Sequence, residues 1–142
     1  MKIKVNHIYQ GDCVEVIKKT IERDSIDLIY ADPPYNLSGK SLNLVNNTTG
    51  GPFYKMNEDW DTWNYNDYVN FSKEWLSACL AALKETGSLY VSCTYHNIGE
   101  IIFVAKGLGF RLNNIITWYK QIPCRILQEG YLLMPQSMFV GL

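Results

Sequence analysis

The segment Asp32-Pro33-Pro34-Tyr35 places a carboxylate, two prolines and an aromatic ring directly after an apolar run. That run, IDLIYA at residues 26–31, has the length and composition of a strand buried on both faces of a parallel sheet. Proline cannot donate to a strand ladder, so the strand must end here in a rigid turn. Because ligands of open α/β sheets bind beyond the carboxyl ends of the strands, we expect Asp32 at the edge of a site. An ordinary strand-terminating turn is the alternative.

A second carboxylate, Asp12, follows a glycine and precedes a helical pattern of apolar residues at 13–23. Asp12 can serve as the helix N-cap, and Glu15 three residues later completes a capping-box-like pair. A turn between a strand and a helix also lies at the ligand-binding crevice. The sequence therefore leaves both a structural and a functional role open for Asp12.

Strands and helices must position these carboxylates, and their patterns alternate along the chain. The predicted strands are 4–10, 26–31, 87–93 and 110–120, and the predicted helices are 13–23, 65–84 and a third from residue 98 to about Gly107. This order predicts an α/β fold with a mostly parallel sheet and flanking helices. Residues 36–64 show no period, and a loop of this length is usually functional. Trp60 and Trp63 in this loop could stack on DNA bases, but the acidic neighbours Asp59 and Asp61 favour packing over the following helix.

Composition excludes several classes of protein. The chain has 142 residues, 47% of them hydrophobic and 19% charged, with a net charge of −1, which fits one domain with a real core. No apolar stretch is long enough to span a membrane, and the N-terminus does not resemble a signal peptide. The four cysteines lie far apart without metal-ligand spacing, which predicts buried thiols in a reducing compartment, the cytoplasm, and no metal. Near-neutral charge predicts that any contact with DNA is local.

Several segments of the chain, between about His7 and Pro123, resemble the DPPY-type amino-group DNA methyltransferases, which use S-adenosylmethionine. They are Gly11-Asp12 before a helix, IDLIYADPPYN, WDTWNYNDYVNFSKEWL, GSLYVSCTYHNIGEI and GFRLNNIITWYK. Their order is similar to the beta arrangement of that family, in which the DPPY half comes first and the glycine-rich cofactor motif last. The resemblance implies that residues 1–122 form the catalytic part of a Rossmann-like methyltransferase fold.

The resemblance implies methyl transfer from S-adenosylmethionine to the exocyclic amine of adenine in DNA. That amine is a poor nucleophile because its lone pair is delocalised into the ring. The Asp32 carboxylate and the Pro33 carbonyl would accept both amine hydrogens and localise the lone pair, while Pro34 keeps the turn rigid. The base must leave the duplex and would stack on Tyr35. Aspartate at the first position accompanies adenine in this family and serine accompanies cytosine, so adenine is the expected target and the cytosine 4-amino group the alternative.

The same resemblance assigns the binding residues. Asp12, the Cys13 backbone and Asp32 would contact the cofactor, with Asp12 on the adenine amine of S-adenosylmethionine. The residues expected to contact double-stranded DNA are Tyr35, Asn36, Lys40 and Lys120. A restriction endonuclease encoded nearby is the implied partner.

Two features depart from the family. The glycine-rich loop that lines the methionine end of the cofactor is missing, since Gly107-Leu108-Gly109 follows a helix and leads into a strand. The tail at 123–142, PCRILQEGYLLMPQSMFVGL, matches no family segment. One permitted set of codons for this tail, read from the third base of the Pro123 codon, gives MPNITRRLFTHATEYVCWF, which resembles what the family places there. We therefore expect 123–142 to be an aberrant tail, out of frame after a one-base loss; a divergent C-terminus is the alternative.

Three functions follow from these features. The first is a DNA (adenine amino) methyltransferase, incomplete as this chain, and the second is an inactive truncated remnant that binds DNA weakly. The third is an RNA or protein amine methyltransferase that shares the DPPY tetrapeptide. The missing loop favours the second for the isolated chain, whereas the flanks NLSGKSLN and HNIGEI favour the first over the third.

Overall fold

A computed structural model describes residues 4–37, 59–119 and 136–141. Within these ranges a 3-10 turn, Asp59–Asp61, precedes the second helix, and none of the helices is long and apolar enough to cross a bilayer. The helices and strands are α1 Cys13–Thr20, β1 Ile26–Ala31, α2 Tyr65–Ala82, β2 Leu83–Thr94, α3 Ile98–Gly107, β3 Asn114–Tyr119 and β4 Gln136–Gly141.

The four strands of the described residues form one sheet in the order β1-β2-β4-β3. β1 pairs parallel with β2, and β4 pairs antiparallel with both β2 and β3. Three strands therefore run in one direction and β4 runs against them. This arrangement confirms the mostly parallel α/β sheet expected from the sequence.

The core lies between the helices and one face of the sheet. Leu89, Val91 and Cys93, alternate residues of β2, are fully buried and pack in one cluster with Leu76 of α2 and Ile101 of α3. Alternate residues of a strand point to the same face, so the three helices cover the face to which these residues point. Because β1 pairs with β2, the packing of β2 against the helices also fixes the position of β1 in the sheet.

The opposite face of β1 differs from the expectation of a strand buried on both sides. Ile29 and Ala31 pack toward the helices, but Leu28 and Tyr30 are each 60% exposed. The continuous apolar run gave no sign of this difference, because a run without alternation does not say which face is covered. The prediction of burial on both faces is wrong for the described structure.

The predicted strand at residues 4–10 is also wrong. These residues contain a turn at Val5 and Asn6 and no strand pairing. Asn6 has a φ of +56°, which is left-handed, and Val5 and Ile8 are 83% and 93% exposed. Alternating apolar residues form a strand only where a neighbouring strand satisfies their backbone, and no described strand lies beside them.

The other elements match their predicted type with shifted ends. α1 ends at Thr20 instead of residue 23, and β2 begins at Leu83, directly after α2, instead of residue 87. β4 was not expected, because it lies in the segment interpreted as an aberrant tail. Its backbone pairs with β2 from Ser137 to Gly141, between the two strands that it joins. The out-of-frame origin of this tail stays a prediction.

Candidate active site

The Asp32-Pro33-Pro34-Tyr35 turn leaves the carboxyl edge of the sheet. β1 ends at Ala31, which pairs in parallel with Val91 of β2, so the turn begins beside the last third of β2. Asp32 is exposed, while Pro33, Pro34 and Tyr35 are partly buried. The fold therefore presents the carboxylate at the edge where α/β proteins bind their ligands.

Tyr35 holds this carboxylate through a short local hydrogen bond. The Tyr35 hydroxyl donates to Oδ1 of Asp32 at 2.5 Å. Burial raises the pKa of Tyr35, the bond to Asp32 raises it further, and the Ser92 hydroxyl opposes the change. Tyr35 is thus a neutral donor at physiological pH, and its ring is fixed next to Asp32. Among the described residues no other hydrogen bond reaches Asp32, and the residue is exposed, so Oδ2 remains available as an acceptor.

Asn36, directly after the turn, belongs to the interior of the site. It is 8% exposed and has a φ of +56°. Its backbone N–H donates to Oδ1 of Asp61 at 2.7 Å, and the N–H of Leu37 donates to Oδ2 of Asp61 at 2.9 Å. The Asn36 side-chain Oδ1 accepts from the Trp63 N–H at 3.0 Å. This burial favours a structural role for Asn36, and its contact with DNA stays a prediction.

A second set of bonds holds the turn at Pro34. The Tyr68 hydroxyl, on the first turn of α2, donates to the Pro34 carbonyl at 2.9 Å. Asn97 donates from Nδ2 to the Tyr68 oxygen at 2.8 Å, and its own Oδ1 accepts from the Thr94 N–H at 2.8 Å. Burial raises the pKa of Tyr68 to about 12, with the Asn97 bond opposing, so Tyr68 stays a donor. The end of β2, the start of α2 and the turn are therefore joined by hydrogen bonds.

A cleft of about 310 Å³ opens beside this network. The Trp63 ring at its wall stacks on Phe71 of α2 with ring centroids 5.0 Å apart, which confirms the prediction that Trp63 packs over this helix. Trp60 is 54% exposed. The cleft is lined by Asn36, Trp63, Asn64, Tyr65, Tyr68, His96, Asn97 and Glu100.

Asp12 is the N-cap of α1, as one of its two expected roles requires. Its Oδ1 accepts from the Glu15 N–H at 3.0 Å. Glu15 does not return the bond to Asp12 as a capping box would, because its carboxylate pairs with Lys19 at 2.8 Å. Asp12 and Cys13 are both exposed, and no hydrogen bond or ion pair joins either of them to Asp32 within the described ranges.

Asp12 fits the cofactor contact that its position suggests. One oxygen completes the helix cap, and the exposed second oxygen can accept a hydrogen bond from an amine on an adenine ring. Partial desolvation of the thiol, and then the nearby Asp12 charge, raise the pKa of Cys13, so that side chain is neutral at physiological pH. A contribution of Cys13 to a ligand would come from its backbone.

Lys40 and Lys120 lie outside the described residues. Conversely, sequence reasoning missed Asp61, Tyr68 and Asn97 as parts of the site. Tyr68 falls on the apolar face of α2, where the pattern predicts core packing rather than a bond to the turn. Asp61 stands between two tryptophans, where an acidic residue is unusual, and this contrast is the one signal that marks it.

A mostly parallel sheet with a DPPY turn at its carboxyl edge defines an α/β domain of the methyltransferase type. Residues 26–137 match the family model of the DNA methylases that includes N6 and N4 methyltransferases. The chain belongs to this DNA methylase family.

Two curated relatives place the chain more closely. It is 39% identical over 122 residues to the type II methyltransferase M.HinfI of Haemophilus influenzae, a match covering 84% of this chain and 33% of M.HinfI. It is 38% identical over 120 residues to the type II methyltransferase M2.MboI of Moraxella bovis, covering 82% of this chain and 42% of M2.MboI. The chain thus spans less than half the length of these relatives.

Solved structures share the fold. The PvuII DNA methyltransferase, named as cytosine-N4-specific, superposes with a TM-score of 0.63 at 17% identity, covering 94% of this chain and 46% of that one. The complex of M1.HpyAVI with S-adenosylmethionine superposes with a TM-score of 0.57 at 20% identity, covering 99% and 54%. These similarities support the methyltransferase fold of this chain.

Proposed function

We propose that this chain forms the catalytic part of an S-adenosylmethionine-dependent DNA methyltransferase that acts on the exocyclic amine of adenine. The observation that carries the proposal is the exposed Asp32 carboxylate at the carboxyl edge of the sheet. Hydrogen bonds from Tyr35 to Asp32 and from Tyr68 to the Pro34 carbonyl hold its turn in place. Preorganised acceptors of this kind act on a reacting group without reorganising during the reaction.

The acceptors of the turn suit an aromatic amine. The Asp32 carboxylate and the Pro33 carbonyl each accept one amine hydrogen, which localises the nitrogen lone pair in the direction of attack. Bound S-adenosylmethionine supplies an electrophilic methyl group on its sulfonium centre. The proton lost from the amine nitrogen passes to the Asp32 carboxylate, which is exposed and can release it to water.

Tyr35 supports capture of the base. An enzyme that reacts at a base amine takes that base out of the stack, and an aromatic ring at the edge of the site offers a stacking surface worth about 1–3 kcal/mol. The hydroxyl bond to Asp32 fixes the plane of this ring beside the reacting carboxylate.

The cofactor side of the site involves Asp12 and the Cys13 backbone. The free carboxylate oxygen of Asp12 would hold the adenine amine of S-adenosylmethionine, while its partner oxygen keeps the cap of α1. Asp32 would border the methyl group. Within the complete enzyme, Asp12→Asn should retain the cap of α1 and bind S-adenosylmethionine more weakly.

The choice of adenine depends on Asp32 at the first position of the tetrapeptide, by resemblance to the family. Since the fold is shared with a methyltransferase named for cytosine N4, the fold does not distinguish the two bases. The alternative target is the cytosine 4-amino group. Because M.HinfI and M2.MboI are named type II methyltransferases, we extend the proposal to a cytoplasmic protein that acts beside a restriction endonuclease.

A chimera tests this function. The matched 122 residues of this chain replace their counterpart in M.HinfI, which supplies the rest of the domain. We expect transfer of labelled methyl from S-adenosylmethionine to DNA, with N6-methyladenine as the product after digestion to nucleosides. The chain by itself, assayed in parallel, should transfer none.

The outcomes of this experiment separate the alternatives. N4-methylcytosine as the product would replace adenine by cytosine as the target. Transfer to RNA or protein in place of DNA would favour an RNA or protein amine methyltransferase that shares the DPPY tetrapeptide. A folded chimera without any transfer would support the inactive remnant.

We also propose that 1–122 is the catalytic part and that 123–142 is read out of frame. Adding one base near codon 123 should open a frame that encodes an FTHATE-like sequence and, later, a glycine-rich loop after a strand. Sequencing the gene through this region is the measurement, and stop codons throughout that frame would contradict the proposal.

A further inference from the structure

We infer that Asp61 is a positioning residue for the DPPY turn, acting through the backbone of the two residues that follow the turn. This inference rests on the proposed function, because it assigns Asp61 to the geometry of the same site. Asp61 contacts no reacting group itself. Its effect passes through Asn36 to Tyr35 and Asp32.

Asp61 is a buried carboxylate with both oxygens engaged. It is 1% exposed, and Oδ1 and Oδ2 accept from the consecutive N–H groups of Asn36 and Leu37 at 2.7 and 2.9 Å. Burying a carboxylate is unfavourable unless hydrogen bonds compensate it, and bonds to a charged acceptor are about twice as strong as neutral ones. In a helix or strand, the N–H groups of Asn36 and Leu37 would bond to backbone carbonyls. In this loop they bond to the Asp61 carboxylate, so the buried carboxylate stabilises the loop.

The contact is reciprocal. Asn36 Oδ1 accepts from the Trp63 N–H at 3.0 Å, so residues 36–37 and residues 61–63 hold each other from both sides. We call this arrangement the Asp61 clamp. It joins two segments that are separated by 25 residues in the sequence.

The clamp fixes a backbone conformation that would otherwise relax. Asn36 has a φ of +56°, in the left-handed region, which costs free energy for most side chains and which asparagine tolerates best. This conformation bends the chain immediately after Tyr35. Without the clamp, the chain can leave this conformation, and the Tyr35 ring and the Asp32 carboxylate would move with it.

A small displacement at this point has a large expected effect on the reaction. A misplacement of about 1 Å in a reacting geometry costs roughly a hundredfold in rate. Phosphate contacts, which dominate affinity for DNA, do not involve Asp61. We therefore expect loss of the clamp to lower the rate of methyl transfer and to leave DNA affinity unchanged.

The test compares Asp61→Asn with Asp59→Asn. Asparagine has the same size as aspartate but keeps only one acceptor oxygen, whereas Asp59 is an exposed carboxylate in the same 3-10 turn. Hydrogen exchange of the full chain should speed up about ten- to hundredfold at the amides of Asn36 and Leu37 in Asp61→Asn. The amides of β2 should change much less, and Asp59→Asn should change neither set.

A second variant, Asn36→Gly, keeps the left-handed φ without strain and deletes only the acceptor of the Trp63 N–H. It should speed exchange at Trp63 and leave Leu37 protected, because the Leu37 N–H stays bonded to Asp61. If Asp61→Asn fails to fold, this variant still tests the clamp, because glycine leaves the Asp61 bonds in place.

The chimera with M.HinfI supplies the functional measurement. Asp61→Asn should lower the single-turnover rate at least tenfold with DNA affinity within about twofold, and Asp59→Asn should match the parent. Unchanged exchange at Asn36 and Leu37, or a normal rate despite faster exchange, would overturn the inference. An inactive parent chimera would instead reject the proposed function, while the exchange result would still decide whether the clamp exists.

Discussion

At the scale of single residues, the site depends on what the Asp32 carboxylate is bonded to. Its Oδ1 accepts from Tyr35, and this bond orients the carboxylate while leaving Oδ2 as an acceptor at the edge of the sheet. We propose that Asp32 and Tyr35 act as one unit, in which the hydroxyl orients the acid and the ring offers the stacking surface. The two contributions of Tyr35 can be separated by substitution.

We predict different outcomes for Tyr35→Phe and Tyr35→Ala in the chimera. Phenylalanine keeps the ring and loses the hydrogen bond to a charged acceptor, worth about 1.5–3 kcal/mol, so the rate should fall about ten- to hundredfold. Alanine also removes the stacking surface, worth about 1–3 kcal/mol, and should weaken capture of the base. Single-turnover methylation, together with the fluorescence of 2-aminopurine at the target position, measures both effects.

Equal loss of base capture in both variants would show that the hydroxyl, and not the ring, captures the base. Normal base capture in Tyr35→Ala would remove Tyr35 from the DNA side of the site.

Among the elements, the pairing register of β1 with β2 determines where along β2 the DPPY turn begins. The register of the two strands shifts between Ile26 and Leu28, and Gly87 lies at this irregularity. A Cβ on Gly87 would lie 2.9 Å from the Lys84 carbonyl oxygen and 3.0 Å from that of Ile26. Backbone atoms cannot move aside as a flexible side chain can, so this position requires glycine.

We predict that Gly87→Ala destabilises the chain by about 1–3 kcal/mol, the range for inserting a methyl group into a filled space. Gly99→Ala is the matched control. Gly99 lies in α3 with open space around its Cβ position, so alanine there should be neutral or stabilise by up to about 1 kcal/mol. Urea unfolding of both variants measures the difference. Equal stabilities would contradict the close approach of the two strands.

The sequence predicted the elements that have a strong local signal. The proline pair ended β1 at Ala31, and the spacing of apolar residues predicted α2 and α3 to within about two residues. The Asp61 clamp could not be predicted, because it joins residues 25 apart through backbone N–H groups that every residue has. The exposed face of β1 was missed for a similar reason, since coverage depends on the packing of distant elements.

In the molecule as a whole, the described helices cover one face of the sheet. The accessibility of the cysteines shows which parts are closed to solvent. Burial raises the pKa of Cys79 to about 12, with a smaller contribution from Cys13, and that of Cys93 to about 11. Both thiols lie in the core between the helices and β2. Cys13 is exposed at the start of α1.

We predict that iodoacetamide at pH 8 modifies Cys13 at least tenfold faster than Cys79 or Cys93 in the folded chain, because alkylation requires an accessible thiolate. Urea should abolish the difference. In the unfolded chain the core thiols ionise near 9.0, below their folded pKa, so the free energy of unfolding should fall as pH rises above about 9. Peptide mass spectrometry measures the labelling, and rapid modification of Cys93 under native conditions would contradict the packing of β2.

We propose that in the assembled domain the Asp32 carboxylate acts on the target amine. The most direct test is the single-turnover rate of methyl transfer by the chimera carrying Asp32→Ala, measured beside its affinity for DNA. Loss of a preorganised electrostatic contact costs about 2.7–4 kcal/mol in the transition state, so we expect a fall of about 10²–10³ in rate with DNA affinity largely retained. A near-normal single-turnover rate in Asp32→Ala would show that Asp32 is only a turn residue and does not act on the amine.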